Sequence, residues 1–287
     1  MSVHPTLSTA IRTATLPSGE VIPVLGQGTW GMAEDAERRA DEIAALRLGL
    51  DLGMTLIDTA EMYAGGAAEQ LVAKAIAGRR SDAFLVSKVL PNHATRRETI
   101  ARCEASLRRL ETDRLDLYLL HWRGEVPLDE TLEAFDALLR AGKIRHWGVS
   151  NFDVSDMEEL AVLIGGSAVT TNQVLYNLTR RGIEYALLPW CRVRAIPVMA
   201  YSPIEQGRLV KDRHLRRVAK RQDSTPAKVA LAWVLRQDGV VAIPKASRLE
   251  HVRENRGALE LRLTTTDLAE LDRAFPPPTK ATPLEML

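Results

Sequence analysis

The chain has 287 residues, and its 38 lysines and arginines nearly match its 37 aspartates and glutamates. No field of one sign therefore favours nucleic acid or an anionic membrane surface as partner. Two cysteines are too few for a disulfide framework, and no run approaches the roughly 18 apolar residues of a membrane span.

The N-terminus, Met1-Ser-Val-His-Pro-Thr-Leu7, lacks a basic region followed by an apolar core, which predicts a soluble, cytoplasmic protein. Residues 13–16, 17–20 and 21–24 read as strand, turn and strand, a hairpin able to plug a barrel floor. Eight short β-like runs follow, at 24–28, 55–57, 83–87, 115–120, 144–149, 169–172, 197–200 and 240–243. Helical periodicity separates them, as in Ile43, Leu46 and Leu50, in Ile100, Cys103, Leu107 and Leu110, and in Leu132, Phe135 and Leu139. Strand starts recur every roughly 25 to 35 residues, the length of βα units with crossovers. Eight such units fit a closed (β/α)8 barrel, whose typical size is about 250 residues. Cys103 and Cys191 fall on apolar helical faces and are expected as buried thiols. After the eighth unit, residues 264–267 can cap a final helix running to Ala274, with Thr266 or Asp267 as N-cap and Glu270 completing a reciprocal cap. Pro276, Pro277 and Pro278 then stop it. No linker or composition break divides the chain. The expected fold is α/β: one domain over residues 1–287, a (β/α)8 TIM barrel with an N-terminal β-hairpin and a C-terminal extra helix.

Four polar residues gather at one rim of that barrel. Asp58 follows the run 55–57, with Tyr63 five residues on; Lys88 follows residues 84–86, and His121 follows 115–120. Barrel enzymes keep their chemistry at the C-terminal ends of the strands, so an acid, a phenol, an amine and an imidazole are predicted to share one pocket. Singly, each has a structural role open to it, as a strand-end cap, a packing ring, a solvated charge or a satisfied imidazole. An Asp and a His at a barrel mouth can also ligate metal. Here His4, His93, His146, His214 and His251 fall off the strand rim and Lys88 would repel a cation, so no metal is expected. Gly26-Gln-Gly28-Thr-Trp-Gly31 matches G-x-G-x-x-G after a strand. In the dinucleotide-binding motif a helix N-terminus approaches pyrophosphate, whereas Trp30 and Met32 crowd this turn and the helix begins several residues later.

Leu25-Gly-Gln-Gly-Thr-Trp30, Leu56-Ile-Asp-Thr-Ala60 with Tyr63, Val86-Ser-Lys88, residues 115–122, Gly148-Val-Ser-Asn151, Asn172-Gln173, Ala200-Tyr-Ser-Pro203 and Ile243-Pro-Lys245 stand in a specific order and spacing. Over nearly its full length the chain thereby resembles the aldo-keto reductase family. Asp58-Thr-Ala-Glu-Met-Tyr63, Gln173-Val-Leu-Tyr176 and Leu188-Pro-Trp-Cys191 are most similar to its small bacterial aldehyde and methylglyoxal reductases. The resemblance implies reduction of small aldehydes or ketones, such as 2-oxoaldehydes, with NADPH as hydride donor and NADH possible. It makes Tyr63 the proton donor. A phenol titrates near 10, so the Lys88 cation is expected to bring it closer to working pH. Asp58 would hold the buried ammonium, and His121 would orient the carbonyl oxygen.

The same resemblance places the cofactor. Ser150, Asn151 and Gln173 would meet the nicotinamide carboxamide, Tyr201 would stack on its ring, and Thr29 and Trp30 would line the floor. Asn151 has a second reading as N-cap of the following helix. Ser202, Gly207, Arg208 and Leu209 belong to the segment crossing the pyrophosphate, with Gly207 allowing close backbone approach. Lys245, Ser247 and Arg248 would contact the adenosine 2′-phosphate, and Glu254 and Asn255 the adenine. The chain departs from the family where Ala246 replaces a hydroxyl residue, where His251 stands in place of a common arginine, and at Ala73, a usual glycine. Trp30, Tyr63 and Trp122 would form an aromatic substrate wall, with Arg123 or His93 available to greet an acidic group. A monomer is expected. The alternative is a nicotinamide-cofactor-sensing regulatory or binding protein on the same barrel.

Overall fold

A computed structural model describes residues 11–287; His4 and the N-terminal residues 1–7 read for a leader lie outside them. The hairpin comes first, β1 (Thr13–Thr15) and β2 (Val21–Pro23), paired antiparallel with Ala14 opposite Ile22. The alternating units follow: β3 (Gln27–Gly28), α1 (Arg39–Asp51), β4 (Leu56–Asp58), α2 (Ala67–Ile76), β5 (Phe84–Val89), α3 (Arg96–Arg109), β6 (Leu115–Leu120), α4 (Leu128–Arg140), β7 (Ile144–Ser150) and α5 (Val154–Val162). Then come β8 (Asn172–Leu175), α6 (Leu187–Val193), β9 (Val198–Tyr201), α7 (Arg213–Arg221), α8 (Pro226–Leu235), β10 (Val240–Ala242), α9 (Leu249–Gly257) and α10 (Thr265–Ala274). β3 to β10 form one parallel sheet in chain order. Parallel bridges from Leu25 to Ala242 and from Gly28 to Lys245 join its first and last strands, which closes the ring.

Sequence and packing agree along the seam of that closure. Gly26 donates its N–H to the Ala242 carbonyl at 2.8 Å and Gly28 to the Pro244 carbonyl at 3.1 Å. A Cβ on Gly28 would lie 2.7 Å from the Ile243 carbonyl oxygen, and one on Gly26 would lie 2.9 Å from that of Leu56. These two glycines of the G-x-G-x-x-G match therefore serve strand packing. The first regular α-helix starts only at Arg39. The inner strands are buried along their whole length, as parallel strands covered on both faces must be. The hairpin seals the opposite end: Leu16 and Ile22 enter the core, while Glu20 accepts from Arg145 at 2.8 Å and lies 2.7 Å from His146 at the start of β7.

Three expectations shift. β8 starts at Asn172 and continues to Leu175, because Asn172 pairs with both Val149 and Val198 and residues 169–171 only lead in. The final helix has Thr264 as N-cap, with Asp267 returning the bond to the Thr264 N–H at 2.8 Å. Glu270 instead accepts from Arg221 on α7 at 3.0 Å. α7 is thus a second addition to the barrel, docked on α10 through Arg221, Gln222 and the fully buried Asp267. Both cysteines are free and buried, and burial pushes each thiol up to about 12. No helix among the described residues is long and apolar enough to cross a membrane.

Candidate active site

Asp58 and Lys88 lie inside β4 and β5, one step earlier than expected, because pairing continues through them: Asp58 faces Val86, and Lys88 faces Leu119. Inward pleating aims both at the axis. The Lys88 ammonium is fully buried and donates to Asp58 Oδ2 at 2.8 Å, to the Thr59 carbonyl at 2.8 Å and to the Tyr63 hydroxyl at 3.2 Å. An ammonium has three protons, and these three acceptors match them. Burial drives the Lys88 pKa down, yet Asp58 and Tyr63 outweigh it and raise it above its ordinary value. Gln173 donates to the other carboxylate oxygen, Asp58 Oδ1, at 2.7 Å. Thr29 fixes the strand end by donating its hydroxyl to the Asp58 carbonyl at 2.9 Å.

Tyr63 is carried by the loop after β4. Ala64, Gly65 and Gly66 take φ of 47°, 61° and 93°, and this left-handed run turns the chain into α2. Burial is the largest influence on the phenol, raising its pKa above the ordinary value against the pull of Lys88. The expected lowering by Lys88 is therefore reversed, since lost hydration outweighs one neighbouring charge. His121 stands 5.9 Å from the Tyr63 ring, edge on, and 5.0 Å from Trp122. Burial, then the Lys88 charge, hold its imidazole down at about 2, so it is neutral at pH 7. Its Nδ1 is buried with no hydrogen-bond partner.

The predicted nicotinamide residues surround this group. Asn151 has φ of 56° and donates to the His121 carbonyl and to Ser150 Oγ, both at 3.1 Å; the Tyr201 hydroxyl donates to Asn151 Oδ1 at 3.0 Å. Asn151 is not the N-cap of α5. Asp153 is, in a capping box with Asp156. Gln173 lies within β8 and spends its amide N–H on Asp58. Ser202 and Gly207, at φ of 47° and 84°, bend the following loop, in which Leu209 is buried. Arg208 is exposed and pairs with Glu205 at 3.0 Å. Beyond β10, Lys245 and Arg248 are exposed, while Ser247 and Asn255 are buried and Glu254 half-buried. Trp30 is 57% exposed and Trp122 half-buried, so both offer ring surface at the mouth.

Arg123 and His93 are already engaged. Arg123 pairs with both oxygens of Glu159, at 3.2 and 2.9 Å. His93 follows β5, on the same side of the barrel as Lys88 and not away from it, and its ring nitrogens lie 3.1 Å from Glu61 and 3.1 Å from Arg102. No group of three or more His, Cys, Asp or Glu residues suited to a metal exists among the described residues.

Sequence reasoning missed Glu205, Asn177 and Arg180. Glu205 accepts from Asn177 at 2.7 Å and from Arg180 at 3.2 Å, and Arg180 also pairs with Glu285 of the C-terminal tail. The proximity of Glu205 to Gly207 was the one available signal. The tail crosses the rim beside Gly182, bounds a cavity of about 350 Å³ with Leu175, Arg180 and Tyr185, and ends with Leu287 at the Tyr201 hydroxyl.

A nicotinamide dinucleotide phosphate suits this donor set: an orphaned buried His121 nitrogen, amide and hydroxyl groups beside a half-buried Tyr201, and exposed cations after the eighth barrel strand. The model of the aldo/keto reductase family matches residues 24–275. Methylglyoxal reductase YeaE of Escherichia coli (strain K12) is 53% identical over 276 residues, covering 94% of this chain and 97% of its own. Glyoxal reductase of Bacillus subtilis (strain 168) is 33% identical and covers 91% of each chain. The crystal structure of an aldo/keto reductase from Klebsiella pneumoniae in complex with NADP and acetate superposes with a TM-score of 0.94 at 50% identity, covering 97% of this chain and 100% of that one.

Proposed function

The chain belongs to the aldo/keto reductase family, and from that membership we propose that it reduces small aldehydes, 2-oxoaldehydes such as methylglyoxal among them, to alcohols. It is an NADP(H)-dependent oxidoreductase by the same kinship. The carrying observation is the convergence of Lys88 Nζ on Asp58, Thr59 and Tyr63 beside a neutral His121.

When bound, a nicotinamide cofactor would supply the hydride for the carbonyl carbon. Tyr63 supplies the proton to the oxygen. Burial raises its pKa above the ordinary phenol value, so the hydroxyl stays protonated and the donor is present throughout the neutral range. As the proton leaves, the phenolate oxygen faces the Lys88 ammonium, which Asp58 and the Thr59 carbonyl hold in place without reorganisation. The neutral imidazole of His121 orients the carbonyl without adding a second cation to the pocket. Asn151 and Ser150 would hold the carboxamide and Tyr201 the ring face. Ser202, Gly207, Arg208 and Leu209 would hold the pyrophosphate, Lys245, Ser247 and Arg248 the adenosine 2′-phosphate, and Glu254 and Asn255 the base. Trp30 and Trp122 form the substrate wall with Tyr63. All of these come from one chain, which supports action as a monomer of one domain. Its near-balanced charge and free thiols support a cytoplasmic location.

A panel of methylglyoxal, glyoxal and simple aldehydes, followed by loss of nicotinamide absorbance, tests the reading. Turnover with NADPH is expected. Tight NADPH binding with no turnover on any member would favour the cofactor-sensing alternative.

A further inference from the structure

The 2′-phosphate of NADPH must be met by fixed positive charge, because a dianion is costly to desolvate without charge-assisted hydrogen bonds. After β10 the chain offers Lys245 and Arg248, with the uncharged Ala246 next to Lys245 and His251 in the first turn of α9. A further cation stands across the barrel seam. Gly28 bridges to Lys245, so the loop leaving β3 begins alongside that lysine. Glu42 ties the same loop down again. One of its oxygens accepts from the Ala33 N–H at 2.9 Å and the other from Ser247 Oγ at 3.4 Å. Between these ties runs a short turn, residues 36–38, which Asp35 caps through the Glu37 N–H at 2.9 Å. Arg38 ends that turn, exposed.

Neither Arg38 nor Lys245 makes a salt bridge or a side-chain hydrogen bond among the described residues. They do feel each other. Loss of surrounding water is the first cause holding the Lys245 ammonium below its ordinary pKa, and the Arg38 charge is the second, only partly offset by Glu42 and Glu34. Glu42 is already committed to Ala33 and Ser247. Two neighbouring cations repel, the nearby carboxylates only partly offset that repulsion, and a dianion between them relieves it.

We propose that Arg38 is a further clamp on the adenosine 2′-phosphate, added to Lys245 and Arg248 and facing Lys245 across the β3–β10 seam, with Glu42 positioning Ser247 beneath. The guanidinium that position 251 lacks is thus supplied from the opposite side of the seam. The inference rests on the NADPH reading above and deepens it. It is tested by tryptophan-fluorescence titration of the intact protein with NADPH and with NADH at fixed ionic strength, for the parent, Arg38→Gln, Arg38→Lys and Lys245→Met. Arg38→Gln is expected to weaken NADPH about tenfold, the scale of one hydrogen bond to a charged group, while NADH changes less than about twofold. Arg38→Lys should recover part of the loss, since it keeps the charge and gives up the planar fork. NADPH affinity unchanged in Arg38→Gln, or equal losses for both cofactors, overturns the assignment while Lys245→Met still loses its NADPH preference. If Lys245→Met also keeps the parent's NADPH to NADH ratio, the placement of the phosphate beside Lys245 falls, and the clamp with it.

Discussion

Lys88→Met separates the structural and chemical roles of the buried group. Methionine nearly matches the lysine stem in volume but removes all three N–H donors, so the buried Asp58 carboxylate keeps Gln173 Nε2, at 2.7 Å, as its side-chain donor. Removing one partner of a buried ion pair costs about 3–5 kcal/mol. At roughly 2–4 °C per kcal/mol for chains of this order of size, the midpoint of thermal unfolding should fall by roughly 6–20 °C. Asp58→Asn should also destabilise, because it leaves the ammonium without its counter-charge. The double variant Asp58→Asn/Lys88→Met removes both charges, so its loss should be smaller than the sum of the single losses by about 2 kcal/mol or more. Guanidinium unfolding followed by circular dichroism measures the cycle, and carbonyl reduction should stay low in all three variants. Additive losses, to within about 0.5 kcal/mol, would refute the idea that Asp58 exists to compensate Lys88.

Tyr63→Phe removes the hydroxyl 3.2 Å from Lys88 Nζ but leaves that ammonium its Asp58 and Thr59 acceptors. Folding and NADPH binding should therefore persist while turnover at saturating cofactor drops ~10²-fold or more; retained turnover would exclude Tyr63 as the acid. His121 carries a folded pKa of about 2 against roughly 6.5 unfolded, so between those values the unfolded chain binds a proton that the folded chain does not. Stability should fall as pH drops through that window by up to about 1.4 kcal/mol per pH unit. His121→Gln should flatten the acid limb of urea stability between pH 6 and 4, and an unchanged slope would show that another group controls it. Gly28→Ala places a Cβ 2.7 Å from the Ile243 carbonyl oxygen, a backbone atom that cannot swing away. The closure seam should lose about 1–3 kcal/mol, read as a lower urea midpoint, and a stability equal to the parent's would mean that the seam yields freely.

The alternation of short apolar runs and helical stripes determined the barrel from sequence, because each βα unit has its own length and period and eight of them in order leave few closed arrangements. It determined the rim tetrad too. Parallel strands share one direction, so polar residues at their C-terminal ends converge whatever the loops do, and Asp58, Lys88 and His121 needed no finer knowledge. Register and exposure were decided only by the tertiary structure. Whether Asp58, Lys88 and Gln173 stand inside or beyond their strands depends on hydrogen bonds from neighbouring strands, which carry no local periodicity. The pairs Arg180 with Glu285 and Ser247 with Glu42 join residues 105 and 205 positions apart, and nothing near either member announces the other. The Tyr63 pKa shows the limit most clearly. A lysine nearby in the fold argues for lowering it, burial argues for raising it, and only the packed site fixes how much water the phenol has lost, which is why burial prevails.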